Sequence, residues 1–280
     1  MTGAPRSGTT WLSRLIAQAP GTSLPGREPM NPRPGQYALG GRLTGWVRLT
    51  DPTPVEKRIL RRAYRGWVPG AYSRYGIRQW AALVPRTRLI VKDPFAVLSL
   101  SAIARITCAV PVVVYRHPAA VLASYRRMGW TADTTEIQAL GAQRGTPSDD
   151  VEAMGHFWTF LYRTALADLD ELADSEAGSL VVSHDELVRG GADAARRIVE
   201  RCGLSWSPRA ERTVSADRAR PEAEIPDRTL HVFDRSADVI VDGWRRQVIP
   251  DDIRRLEQMT AEPWRALQAR RVPLSESGCR

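Results

Sequence analysis

Gly3-Ala4-Pro5-Arg6-Ser7-Gly8-Thr9-Thr10-Trp11-Leu12 opens the chain and carries the G-x4-G spacing of a phosphate-binding loop. Such a loop exposes successive backbone N–H groups and runs into a helix whose N-terminus is partly positive. Thr9 and Thr10 add hydroxyl donors at the helix start, and Trp11, Leu12 and Leu15 supply an apolar helix face. The lysine that follows the second glycine in nucleoside triphosphatases is missing: Thr9 stands there, and the cation, Arg6, lies inside the loop. Taken alone, the stretch establishes a candidate anion-binding turn; a plain Gly-Ser-Thr turn before a helix remains the alternative.

Outward from the loop, short apolar runs alternate with helical patterns. Arg88–Val91, Pro111–Tyr115 and Leu180–Ser183 read as strands, and their unbroken apolar character predicts burial on both faces of a parallel sheet. Helices are expected at 9–18, 56–66, 95–105, 117–128, 151–174, 190–202 and 250–270, with a long Pro- and Gly-rich loop over 20–55. The alternation predicts an α/β fold, a P-loop-type three-layer sandwich around a central parallel sheet, in a single domain over 1–280. Only Met1 and Thr2 precede Gly3, so the strand that should feed the loop is expected to be truncated.

Composition sets wider bounds. At 43% hydrophobic and 25% charged residues the chain is ordinary globular material, with no run long enough to span a bilayer and no secretory signal pattern. Cys108, Cys202 and Cys279 are odd in number and far apart, which suits a reduced compartment and offers no zinc pattern; the cytoplasm is the expected location. A net charge of +9 invites an anionic partner, and Lys57, Arg58, Arg61, Arg62 and Arg65 recur at helical spacing as one basic face. A solvated helix face is the plainer account of those five. Trp46, Trp67 and Trp130 lie near the segments expected to meet an acceptor, although tryptophans are mostly core residues.

A second constellation is Val112-Val113-Val114-Tyr115-Arg116-His117-Pro118, leading through a helix to Ser124-Tyr125-Arg126-Arg127. Arg116 falls where a buried strand ends, the edge at which open α/β sheets bind ligands. Ser124 lies two turns on, so an arginine and a hydroxyl converge as a candidate phosphate grip.

Together these stretches resemble the sulfotransferase family that uses 3′-phosphoadenosine 5′-phosphosulfate (PAPS). Pro5–Leu12 looks like its 5′-phosphosulfate loop, and Arg116 to Ser124 resembles its 3′-phosphate motif. Val181–Val188 is similar to the strand and turn the family often writes Y-E-D-L, with His184 in place of the usual acid. Gly243-Trp244-Arg245-Arg246 resembles the basic segment that closes over the adenosine end. The resemblance implies PAPS as donor, 3′,5′-adenosine bisphosphate (PAP) as product, no metal, and a donor site built from Arg6, Ser7, Gly8, Thr9, Thr10, Trp11, Arg116, Ser124, Trp244, Arg245 and Arg246.

Arg27-Glu28-Pro29-Met30-Asn31 resembles the E-P-x-N turn of the bacterial and carbohydrate-acting branch, in which the glutamate deprotonates an acceptor hydroxyl. The resemblance therefore implies Glu28 as base. Asp93 competes for that role, although capping the helix after it would be an equally natural job. Arg6, with Lys92 second, would neutralise the leaving phosphate. The expected partner is a small-molecule or carbohydrate acceptor, with a homodimer left open and nucleic acid not expected. Two other readings stay open: a kinase or nucleoside triphosphatase in which Leu89–Asp93 is a magnesium-binding strand, and a non-catalytic nucleotide- or nucleic-acid-binding protein.

Overall fold

The computed structural model describes residues 1–72, 84, 86–142, 145–174, 178–219 and 241–274. After the loop come helix α1 (Thr9–Ile16), strand β1 (Thr22–Ser23), helix α2 (Pro54–Tyr64), strand β2 (Arg88–Leu89), helix α3 (Leu100–Thr107), strand β3 (Val112–Tyr115) and helices α4 (Pro118–Met128), α5 (Thr134–Ala139) and α6 (Asp150–Glu171). Strand β4 (Leu180–Ser183) and helices α7 (His184–Arg201), α8 (Pro208–Ala219) and α9 (Pro250–Arg270) follow. The order is the mixture of helix and strand that the alternation predicted.

β3 and β4 are fully buried and pair in parallel from Val112↔Leu180 to Tyr115↔Ser183, while β1 and β2 form a second, shorter parallel pair. Met1 and Thr2 occupy the slot between these pairs. Thr2 N–H donates to Val112 O at 2.9 Å and Thr2 O accepts from Val114 N–H at 2.8 Å. On the other side Met1 O accepts from Asp93 N–H at 3.0 Å, and the terminal ammonium donates to Val91 O at 2.6 Å. Only two residues thus lie in sheet register ahead of Gly3.

Alternation along β3 and β4 divides the core. Val113, Tyr115 and Val181 face one cluster with α3, α4, α6 and α9, including Trp158, Phe157 and Leu256. Val112, Val114, Leu180 and Val182 face another with α1, α7 and α8, including Leu12, Ile198 and Val214. Helices therefore cover both faces of this pair. The six buried aliphatic side chains of β3 and β4, at about 1.5–3 kcal/mol each, are ample to hold a four-residue ladder in place.

Helix starts follow local chemistry. Thr53 and Glu56 form a reciprocal capping box on α2, Asp149 caps α6, and Pro118 fills the first position of α4. Three expectations are corrected. The helix expected at 95–105 is a 3-10 turn, Pro94–Leu98, then α3; the break is Ser99, whose hydroxyl donates to Val47 O and accepts from Leu49 N–H, tying the long loop to the core. The helix expected at 190–202 begins at His184, because Ser183 caps it, and is kinked at Gly191. Of the strand expected over Arg88–Val91, only Arg88–Leu89 joins the ladder, although Ile90 N–H still bonds Ser23 O. Among the described residues no helix is long and apolar enough to cross a membrane.

Candidate functional site

The parallel strands end side by side, and each end delivers polar or charged side chains to the same edge: the loop after Thr2, Lys92–Asp93 after β2, Arg116–His117 after β3 and His184–Asp185 after β4. The loop between them is shaped by two glycines that nothing else could replace. At Gly3, φ is +146° and an added Cβ would fall 2.0 Å from Val114 O; at Gly8, φ is +90° and a Cβ would fall 2.4 Å from the His184 ring. Arg6 also takes a left-handed conformation, φ 73°, which costs roughly 1 kcal/mol or more.

Tyr162, fully buried on α6, holds this turn. Its hydroxyl donates to Val114 O at 2.8 Å, accepts from Ala4 N–H at 3.1 Å and lies 3.3 Å from Ser7 Oγ. The Ser7 hydroxyl is therefore turned inward, and the Ser7 N–H donates to Ala4 O at 3.1 Å within the loop. Gly8 then starts α1, whose first turn contains no acid and no side-chain cap. Thr9 is buried there, with Thr10 and Trp11 half-buried behind it.

Arg6, Ser124 and Arg116 do converge. Arg6 Nε donates to Ser124 Oγ at 2.9 Å, Arg127 reaches the same oxygen at 3.4 Å, and Arg116 approaches Arg6 O at 3.5 Å. Burial, then the Arg127 charge, lowers the Arg6 pKa. Burial pushes Arg116 down to about 10, against the pull of Asp185 and reinforced by Arg127 and Arg6. An anion between these guanidiniums would relieve the mutual repulsion that adds to the lowering at Arg6 and Arg116.

The long loop folds back to this cluster. The guanidinium of Arg33 stacks over Trp130 at 4.5 Å and that of Arg6 lies 5.8 Å from the same ring. Arg33 N–H donates to Asn31 Oδ1, and the Asn31 amide donates to Glu28 Oε2. Lys92 contacts Glu28 Oε1, so both carboxylate oxygens are engaged. Glu28 is buried, and burial pushes the Lys92 pKa down to about 8 against the attraction of Asp93. The Arg33–Trp130 contact had no signal in periodicity or spacing.

Asp93 is fully committed elsewhere. One oxygen accepts from Met30 N–H at 2.5 Å, the other from Phe95 N–H at 3.0 Å. Burial raises its pKa to about 6 despite these bonds and Lys92. It ties the Glu28 loop to the strand end and caps the 3-10 turn, as the capping alternative expected.

Trp244 lies flat on His117, centroids 4.6 Å apart and planes within 14°, which brings the Gly243–Arg246 turn to the β3 end. Arg245 stacks on Trp244 at 4.6 Å and pairs with Asp242, while Arg246 is exposed. His184 is buried against Gly8 with Nδ1 3.0 Å from Asp185; burial and then Arg116 lower its pKa, keeping it neutral. Among the described residues no group of three or more His, Cys, Asp or Glu could hold a metal ion.

Two anion-compatible places, the loop at the start of α1 and the guanidinium cluster at Ser124, thus lie beside a buried carboxylate–lysine pair. Residues 1–208 match the model of a family described as the sulfotransferase family, which spans the loop, Glu28, Lys92, Arg116 and Ser124 but not Trp244–Arg246. A search of curated proteins finds no match to the chain.

Proposed function

The chain belongs to the sulfotransferase family, and we propose that it transfers a sulfuryl group from PAPS to a hydroxyl of a sugar or glycosylated small metabolite. One observation carries the choice of donor: the Arg6–Ser124 bond, which links the phosphate loop to a second cationic place holding Arg116 and Arg127. A donor with a phosphate at each end of its ribose suits two such places; a triphosphate needs one. The commitment of both Asp93 oxygens to backbone N–H groups also speaks against the magnesium-binding strand of a kinase. We read the fold as a P-loop-type three-layer sandwich forming one domain, of the bacterial and carbohydrate-acting branch.

The residues fit the donor through the chemistry on offer. Backbone N–H groups of the loop, the first turn of α1 with Thr9 and Thr10, and Arg6 would hold the 5′ end; Arg116, Ser124 and Arg127 would hold the 3′-phosphate; Trp244, Arg245 and Arg246 would border the nucleoside. When bound, the donor supplies the sulfuryl group that moves in line to the acceptor oxygen. Glu28 takes the proton of the acceptor hydroxyl as that oxygen bonds to sulfur, one of its oxygens being released by Lys92 or Asn31. Arg6 and Lys92 stabilise charge on the 5′-phosphate oxygen as its bond to sulfur breaks. Asp93 positions the Glu28 turn and does not touch the reacting atoms.

Thermal-shift titration tests the donor reading. PAP without magnesium is expected to stabilise the protein, and a shift seen only with Mg-ATP would sink the proposal. Glu28→Gln is expected to abolish transfer while keeping the PAP shift; wild-type turnover in that variant would refute Glu28 as base.

A further inference from the structure

α2 carries a cavity of about 600 Å³, lined by Lys57, Arg58, Arg61, Arg62, Arg65 and Trp67. Positions 57, 61 and 65, with 58 and 62, share one face of the helix, opposite the buried Leu60 and Ala63. The acid of α2 does not balance them: Glu56 is held by the Arg42 guanidinium and by Thr53 N–H. Like charges at this spacing cost a few tenths of a kcal/mol per pair in an isolated helix (about 0.2–0.5). Trp67 is 57% exposed, and the Arg65 guanidinium sits 5.5 Å over its ring. A merely solvated face explains the charges, but not a concavity that ends on an exposed indole.

The Trp67 end of the cavity lies a few residues along the chain from the turn that carries Glu28. From Trp67 to Ala71 is four residues, at most about 14 Å of fully extended chain, and Pro69–Ala71 is a compact 3-10 turn. Ala71 O then accepts from Arg27 N–H at 3.1 Å, Tyr72 pairs with Gly26, and Glu28 is the next residue after Arg27. An acceptor with its attacked hydroxyl at Glu28 would therefore need only a few linked units to reach Trp67.

We propose that the α2 cavity is an extended acceptor subsite that binds anionic sugar units, carboxylated or already sulfated, linked to the unit that receives the new group. This rests on the sulfotransferase reading and narrows its acceptor class. Carboxylates and sulfates meet guanidinium forks in bidentate pairs, and a sugar ring presents a flat C–H face to the indole. Single-stranded nucleic acid fits less well, because it needs aromatics interleaved with the cations for successive bases, and among the described residues this lining offers one. A membrane surface would want several exposed apolar side chains here, and among the described residues the lining contains only Trp67 besides the prolyl ring of Pro54.

The test is fluorescence polarisation with the full chain at physiological salt. The probes are a labelled sulfated tetrasaccharide, the same tetrasaccharide unsulfated and uncharged, and a single-stranded DNA dodecamer. The sulfated probe should bind best. Arg58→Glu with Arg62→Glu should weaken it about tenfold or more, and Trp67→Ala severalfold, as expected for losing charge-assisted and stacking contacts. The PAP thermal shift should be unchanged in both, and the milder Arg58→Gln/Arg62→Gln pair should show a smaller loss in the same direction. Equal affinity for the neutral sugar, or unchanged affinity in the double variant, would overturn the proposal. DNA binding as tight as the sulfated sugar, with the same loss, would assign the face to nucleic acid instead. Absence of a PAP shift in the wild type would sink the donor reading, and with it the acceptor role of this surface, whatever the sugar does.

Discussion

Arg6 and Ser124 are separated by 118 positions, yet the Arg6 Nε–Ser124 Oγ bond of 2.9 Å joins the phosphate loop to helix α4. Hydrogen bonds to charged groups contribute about 1.5–3 kcal/mol each. Ser124→Ala is accordingly expected to weaken PAP binding by about tenfold, and Arg6→Ala by about a hundredfold, in calorimetric titration. Unchanged affinity in Arg6→Ala would remove the loop from the donor site.

Gly8 packs directly against the His184 ring, 2.4 Å from where a Cβ would stand. Gly8→Ala must adopt φ +90° and push a methyl into the imidazole, for a loss of about 2–4 kcal/mol from left-handed strain and overpacking together. Adding His184→Ala should restore the packing part and leave the strain. Urea midpoints of the two variants would show this, and no recovery in the double variant would mean that the ring is not the obstacle.

Asp93→Asn separates positioning from chemistry. Asparagine has one acceptor oxygen, so either Met30 N–H or Phe95 N–H loses its partner and faces an amide donor, costing about 1–3 kcal/mol. The expected result is a melting point lower by several degrees with turnover per folded molecule kept within a few-fold. Glu28→Gln should do the reverse. If Asp93→Asn instead kept its melting point and lost all turnover, Asp93 would be the base.

Acid should destabilise the fold from near pH 6.5 downward. Burial lowers the folded pKa of His184, with Arg116 adding to it, and of His117 despite Glu257. Below the unfolded value of about 6.5 the unfolded chain takes up protons that the folded one refuses, so stability falls with pH, by up to about 1 kcal/mol per histidine at pH 6. Asp93 has the opposite sign: raised to about 6, it takes its proton in the folded state first, so it offsets the loss below pH 6. Urea midpoints between pH 7.5 and 5 should show a drop and then a flattening, and His184→Asn should shallow the drop. A flat profile from 7.5 to 6 would contradict the neutral buried imidazoles.

Much of this was legible in the chain. The apolar runs ending at Tyr115 and Ser183 announced buried parallel strands, and glycine spacing with an internal arginine announced the turn. The Ser183-x-x-Glu186 spacing also marks the true start of α7, inside a stretch whose resemblance points to a strand and turn. Other parts had no local signal. β1 is two residues in a Gly- and Pro-rich loop, too short for any periodicity. Trp130, Arg33 and Arg6 meet through tertiary contact alone. Tyr162 reads as one more apolar position of α6, because nothing in a helical repeat reveals where a phenol hydroxyl ends.

That hydroxyl has a practical consequence for anyone who would transplant the donor site. The loop takes its shape from a side chain 158 positions after Ala4 and 155 after Ser7. A graft of Gly3–Leu12 onto another scaffold, or a minimal fragment stopped before α6, would carry every letter of the motif while leaving Ala4 N–H and Ser7 Oγ without the phenol that orients them. The transferable unit is the turn together with its distant clamp.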